Sequence, residues 1–171
     1  MKRGWVYVLD AFSSTGTSAC LHALRTRPNT RVVCIDRAHS LEYIRKHIPR
    51  KYWDRVLYIH DDITLLNARE LSARMKAVWP DAELSDFIHC HASPSCRTYS
   101  RADRGKSRHR DKLGRPLTRR AKEDDKALRH AVRLLLQIKA HAPRVCITIE
   151  NPVSLTFKLV PCIARLRRAA G

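Results

Sequence analysis

The sequence predicts an α/β protein built on a doubly wound, mainly parallel sheet. Five short apolar runs, rich in β-branched residues, alternate with stretches whose apolar residues recur at helical spacing. This alternation is typical of strands joined by crossover helices. Hydrophobic residues make up 44% of the 171 residues, enough for one domain over residues 1–171 with a core of its own.

The first half of the chain contains three predicted strands. Val6–Val8 lies in an apolar run and precedes a Ser/Thr/Gly turn, after which Ser18–Leu24 is predicted as a helix. Arg31–Asp36 is almost continuously apolar, as a strand buried on both faces requires. Leu41–His47 is a short helix, and Val56–Ile59 is the third strand.

The second half repeats the pattern. Asn67–Val78 carries apolar residues at helical spacing and ends before a proline. Phe87–His91 and Val145–Ile149 are the fourth and fifth strands, separated by the long helix Lys122–Ala140 with its apolar stripe. Leu155–Arg168 is a final strand or helix. In such a fold ligands collect at the carboxyl ends of the strands, so functional residues are expected there.

The chain is strongly basic. It has 34 Lys and Arg against 16 acidic residues, a net charge of +18 and a pI of about 10.4. This excess favours a polyphosphate partner, DNA first and RNA as an alternative. Many cations lie in Arg97–Arg120, which is predicted to be a long mobile loop because few apolar residues could anchor it. The expected phosphate contacts are Arg97, Arg101, Arg104, Lys106, Arg108 and Arg110.

The cysteines and the amino terminus indicate the compartment. None of the six cysteines forms a C-x-x-C pair, so no metal site is expected. Reduced cysteines in apolar runs fit a reducing compartment. No signal peptide is recognised at the start, and no run approaches about 20 apolar residues. The expectation is an intracellular, soluble protein without a membrane partner; cytoplasm and nucleus are not distinguished.

Three acidic strand ends and a hydroxyl-rich turn predict a cofactor site. In the turn after the first strand, backbone N–H groups next to a helix N-terminus can face a ligand, and its glycine allows close approach. The predicted contacts in this turn are Asp10, Phe12, Ser13, Gly16 and Thr17. Asp36 ends the second strand, where it can accept from ribose hydroxyls. Asp62 follows the third strand, where it can accept from an adenine amino group.

Two further strand ends carry reactive groups. Ser93-Pro94-Ser95-Cys96 follows the fourth strand, and Glu150 follows the fifth. Neighbouring Arg97 and Arg101 are expected to lower the pKa of the Cys96 thiol and make it nucleophilic. A partly buried Glu150 could donate a proton to a base nitrogen. The simpler interpretations are a structural thiol and a carboxylate paired with arginine.

Together these motifs resemble the DNA (cytosine-5)-methyltransferase family: a D-x-F-x-G-x-G-like turn, Asp-Ile after the third strand, a Pro-x-Cys loop and Glu-Asn after a later strand. The resemblance implies S-adenosyl-L-methionine as cofactor, with Ile63 and Ser93 among the residues around it. It implies that Cys96 attacks the sixth ring carbon of a flipped-out cytosine while Glu150 assists at the ring nitrogen. The basic segment would then close over the target, its cations holding phosphates.

The chain departs from the family pattern in several places. Only Gly16 of the expected glycines is kept, and Pro94-Ser95-Cys96 replaces Pro-Pro-Cys. The target-recognition region expected after Glu-Asn is not recognisable, so the chain is either a minimal or fragmentary member of the family or depends on a second chain that supplies target recognition. The alternatives are an exocyclic-amino or RNA methyltransferase, and a nucleic-acid-binding module of this fold without turnover. A nicotinamide oxidoreductase is disfavoured because the turn lacks the dinucleotide glycine pattern.

Overall fold

The computed structural model describes residues 4–13, 19–38, 41–99, 109–111, 113–151 and 160–170, and it confirms the predicted α/β class. Five strands pair in parallel in the order β3-β2-β1-β4-β5. They are β1 (Val6–Ala11), β2 (Thr30–Asp36), β3 (Val56–His60), β4 (Phe87–Ala92) and β5 (Cys146–Ile149). The strand order reverses between β1 and β4, and such a reversal is where parallel α/β sheets bind ligands.

Helices connect these strands. They are α1 (Ala19–Thr26), α2 (Leu41–His47), α3 (Ala68–Val78), α4 (Arg119–His141) and α5 (Pro161–Ala170). Three short 3₁₀ helices, Arg50–Arg55, Ile63–Leu65 and Leu84–Asp86, were not predicted. The α3 helix begins with a reciprocal cap, because the side chain of Asn67 accepts from the N–H of Glu70 while the Glu70 carboxylate accepts from the N–H of Asn67.

Both faces of the sheet are covered, as a doubly wound fold requires. On one face Leu71 of α3 and Leu135 of α4 pack against Leu9 in the main core. On the other face Leu24 of α1 packs against Val32 in a second cluster. A third cluster joins α4 and α5. The central strands β1 and β2 are therefore buried from both sides, which explains their nearly continuous apolar sequence.

Two predicted boundaries were too short. The first strand continues to Ala11, because Leu9 and Asp10 keep pairing with both neighbouring strands. The α4 helix begins at Arg119, where the Thr118 hydroxyl accepts from the N–H of Ala121. The predicted final element is a helix over Pro161–Ala170, and residues 152–159 lie outside the described part. Within the described ranges, no helix has both the length and the apolar character needed to cross a membrane.

Candidate active site

The carboxyl ends of β1, β4 and β5 lie side by side. Ala11 of β1 pairs with Ala92 of β4, and Ala92 pairs in turn with Ile149 of β5. The N–H of Ser93 donates to the carbonyl of Ala11 at 3.1 Å, and the N–H of Glu150 donates to that of Ala92 at 2.9 Å. Ser93 and Glu150 thus leave the sheet at the same level, and the segments that follow them start out as neighbours.

Cys96 lies just beyond this edge, on a segment held at both ends. The side-chain amide of Asn151 donates to the carbonyl of Pro94 at 3.3 Å, which ties the cysteine segment to the residue after Glu150. On the other side, the N–H of Tyr99 donates to the carbonyl of Cys96 at 3.1 Å. Both Cys96 and Glu150 are exposed. The structure therefore brings their segments together, and Glu150 is more exposed than the sequence suggested.

Arg110 corrects one prediction, because its guanidinium does not face solvent. The side chain is 4% exposed and pairs with Asp125 of α4 at 2.6 Å. Its other N–H groups donate to the carbonyls of Thr98, Gly114 and Ala121. With these donors engaged inside the protein, the guanidinium is not available to a phosphate. Sequence reasoning took it for one more cation of a basic surface.

Arg110 also changes the interpretation of the basic segment at residues 97–120. Its guanidinium lies 4.0 Å from the centre of the Tyr99 ring. Tyr99 is 1% exposed, and its hydroxyl donates to Asp125 at 2.7 Å. Thr98 donates to Asp124 at 2.6 Å. The described ends of the segment are therefore anchored on the first turns of α4, where a mobile loop was expected.

The remaining predicted phosphate contacts have different outcomes. Arg97 is exposed next to Cys96. Arg101, Arg104, Lys106 and Arg108 lie outside the described residues, as do Gly16 and Thr17 of the predicted cofactor turn. Their roles stay predictions.

Asp10 is the most unusual residue of the predicted cofactor turn. It is 2% exposed, and among the described residues its Oδ2 atom has no hydrogen-bond partner. Burial, together with the charge of Asp36, raises its pKa to about 7, although the N–H of Cys20 hydrogen-bonds it and acts in the opposite direction. A buried carboxyl group with an unused acceptor is costly unless a ligand or water satisfies it.

Phe12 and Ser13 continue the chain around this carboxyl group. Both backbone N–H groups donate to the carbonyl of Ile35, at 2.8 and 3.2 Å. Phe12 has φ 61°, in the left-handed region that glycine adopts without strain. The Ser13 hydroxyl is buried next to the Cys34 thiol, with which it interacts. At the end of β1 the turn therefore leaves Oδ2 of Asp10 without a partner among the described residues.

The other predicted cofactor residues differ in the hydrogen bonds that their side chains already make within the protein. Asp36 ends β2, and its Oδ1 atom accepts from the N–H of Ala38 at 2.6 Å. Asp62 accepts from the N–H of Thr64 at 2.8 Å and from Arg37 at 3.0 Å, so both of its oxygens are engaged. Ile63 is 4% exposed and belongs to the main core. Asp62 and Ile63 thus have evident structural roles.

A row of polar side chains on β4 and β5 was missed by the sequence analysis. The hydroxyl of Thr148 lies 2.9 Å from Nε2 of His89 and 2.9 Å from Nδ1 of His91. Nε2 of His91 lies 2.8 Å from the hydroxyl of Ser93. The signal was the spacing of two in His89-Cys90-His91, which puts both rings on the same face of a strand.

This row connects Ser93 with the neighbourhood of Glu150. Burial lowers the pKa of His91, and the nearby charge of Glu150 acts in the opposite direction. Burial and the adjacent His91 lower the pKa of His89. Burial therefore favours the neutral form of both rings. Ser93, which was predicted to contact a cofactor, is hydrogen-bonded to this row instead of standing alone.

A comparison with protein-family models found no matching family, and a comparison with curated proteins found no significant match.

Proposed function

We propose that this protein is a DNA cytosine-5 methyltransferase, which transfers a methyl group from S-adenosyl-L-methionine to a flipped-out cytosine through a covalent bond to Cys96. The observation that carries the proposal is the bond from the Asn151 side chain to the Pro94 carbonyl, 3.3 Å long. It joins the segment of the thiol to the segment of the Glu150 carboxyl group, and both groups are exposed to an approaching base.

The two side chains have complementary roles in this chemistry. The Cys96 thiolate forms a bond from its sulfur to the sixth ring carbon of cytosine, while Glu150 hydrogen-bonds at the ring nitrogen and favours the addition. The electron pair displaced from the ring makes the fifth carbon nucleophilic. That carbon would take the methyl group from the sulfonium sulfur of the donor, which would leave as a neutral thioether. It would then lose its proton to water, and the electron pair of the broken carbon–hydrogen bond would re-form the ring double bond as the bond to Cys96 breaks and releases the thiolate.

The end of β1 fits the proposed cofactor. A buried, unsatisfied Asp10 oxygen next to Asp36 favours a ligand that brings positive charge and hydroxyl groups. S-adenosyl-L-methionine has an ammonium group, a sulfonium centre and ribose hydroxyls, and when bound it supplies an electrophilic methyl group. Asp10, Ser13 and Asp36 are the described residues that would hold it. Asp62 adds less support, since Arg37 and Thr64 already engage it.

The decisive experiment uses DNA in which cytosine is replaced by 5-fluorocytosine. Fluorine cannot leave the fifth carbon as the proton does, so the carbon–sulfur bond persists after methyl transfer. With S-adenosyl-L-methionine present, the wild-type protein should form an adduct that survives denaturing electrophoresis. Cys96→Ser should form none. Cys146→Ser is the matched control, because Cys146 is also exposed.

Glu150→Gln tests the second role, and adduct formation should slow by about 10²- to 10⁴-fold, the usual contribution of a positioned acid or base. An adduct in the Cys96→Ser variant would contradict the proposed nucleophile. Salt-dependent DNA binding with neither adduct nor methyl transfer would favour the alternative, a binding module without turnover. The same target sequence offered as RNA separates the two nucleic acids.

A further inference from the structure

Four cations form one stripe on the solvent side of α4. Lys122, Lys126, Arg129 and Arg133 are all exposed, and their spacing of four, three and four residues places them on one face of a helix. The opposite side of α4 is buried in the main core and against α5. These four residues are called the basic stripe below.

The acidic residues of α4 do not neutralise the basic stripe. Glu123 pairs with Arg119 at 2.8 Å, Asp124 accepts from Thr98, and Asp125 pairs with Arg110. Among the described residues, no ion pair involves a member of the stripe. The pKa of His130, which lies between its members, is lowered by partial burial and then by the charges of Arg133, Lys126 and Arg129, while the charge of Asp62 acts in the opposite direction. The stripe is therefore a surface on which positive charge predominates.

The basic stripe begins in the same turns of α4 that hold the cysteine segment. Asp124 and Asp125, within one turn of Lys122 and Lys126, hold the two residues that follow Arg97 in the cysteine segment. From there the stripe extends over about 16 Å of helix, at 1.5 Å per residue. That length matches the rise of about five phosphates along one strand of a duplex, at 3.4 Å each.

We propose that the basic stripe binds the phosphate backbone of the nucleic acid whose target base enters at Cys96. The choice of target base rests on the proposed function, whereas backbone binding by the stripe does not. Because counterion release drives such binding, each phosphate contact raises the salt dependence of the affinity by a known amount. The basic stripe thus supplies a contact surface on α4, in addition to the phosphate contacts predicted at residues 101–108.

The test compares two quadruple variants of the full chain. In the first, all four members of the stripe become Gln. In the second, Arg25, Arg27, Arg50 and Arg144 become Gln; these four are also exposed, and in the chain they precede the amino ends of β2, β3 and β5. Both variants lose the same charge. Binding of a fluorescent 20-base-pair duplex is measured by anisotropy over a range of KCl concentrations, without cofactor.

The stripe variant should lower the slope of log affinity against log salt by up to about 3.6, which corresponds to four lost contacts. The control quartet should change it by less than one. A smaller variant, Lys126→Gln with Arg129→Gln, should lower the slope by about 1.8 and guards against an effect on folding. A third variant changes each Lys of the stripe to Arg and each Arg to Lys, which keeps the charge. It should retain most of the wild-type slope.

Equal changes from both quartets would overturn the proposal, since general charge would then explain the binding. A wild-type protein that binds anionic phospholipid vesicles and no duplex would overturn it too. Failure of the proposed function looks different: the stripe variant would lose duplex binding while no version of the protein forms an adduct with 5-fluorocytosine. A stripe variant that forms adducts at the wild-type rate and binds duplex normally would contradict phosphate binding by the stripe and leave the proposed function intact.

Discussion

The buried carboxyl group of Asp10 should make the protein less stable as the pH rises from about 4 to about 7. Burial and the charge of Asp36 raise its pKa from 3.8 to about 7. In that interval the unfolded chain loses the proton while the folded protein keeps it. The unfolded state therefore binds fewer protons, and the free energy of unfolding falls with rising pH, until both states are ionised above pH 7.

The magnitude follows from the displacement of the pKa. A change from 3.8 to about 7 corresponds to about 4 kcal/mol at most between pH 4 and pH 7. The Asp10→Asn variant does not titrate, so it should lack this decline. Relative to the wild type it should gain stability steadily over the interval and keep that gain at higher pH. A side chain that destabilises the folded protein at neutral pH is better explained by ligand binding than by packing.

The assay is urea unfolding at half-unit steps from pH 4 to pH 8.5, for the wild type, Asp10→Asn and Asp54→Asn. Asp54 is exposed, so its variant controls for the loss of one carboxyl group. The difference in unfolding free energy between Asp10→Asn and the wild type should widen with pH up to about 7. If this difference stays constant with pH, as the difference between Asp54→Asn and the wild type should, the Asp10 carboxyl group does not have the buried environment described above.

Two further predictions concern the anchored segment and the thiols. Asp125→Ala should lower the free energy of urea unfolding by about 3 to 5 kcal/mol, because it leaves the buried Arg110 guanidinium without its partner. Glu123→Ala removes an exposed ion pair and should lower it by under about 1 kcal/mol. Similar losses in the two variants would contradict the buried pair. N-ethylmaleimide should label Cys96 in the native protein within minutes and leave Cys34 unlabelled until urea unfolds the chain. Cys34 is buried, and its hydrogen bond with Cys20 together with its burial raises its pKa. Mass spectrometry of peptides measures labelling at both sites, and equal labelling rates in the native protein would contradict the described core.

The sheet could be predicted from the sequence because its signal is local. Arg31–Asp36 is apolar along nearly its whole length, a pattern typical of a strand that is buried on both faces. The placement of Cys96 and Glu150 at one edge followed from the same logic, since parallel strands bring their carboxyl ends together. These inferences needed only the order of strands and the residues that follow them.

The anchoring of the basic segment could not be predicted in this way. Arg110 and Asp125 lie fifteen residues apart, and nothing in the sequence distinguishes a buried ion pair from two surface charges. The burial of Asp10 was hidden for a similar reason, because an aspartate at a strand end is usually solvated. The hydrogen bonds among His89, His91 and Thr148 depend on the register of β4 with β5, which no periodicity reveals.

Because Arg110 donates directly to the backbone of Thr98, the two described flanks of residues 100–108 are fastened to each other as well as to α4. The two flanks therefore hold each other in place directly. Removing the Arg110 side chain would therefore loosen both flanks at once, the one that follows Cys96 and the one that leads into α4.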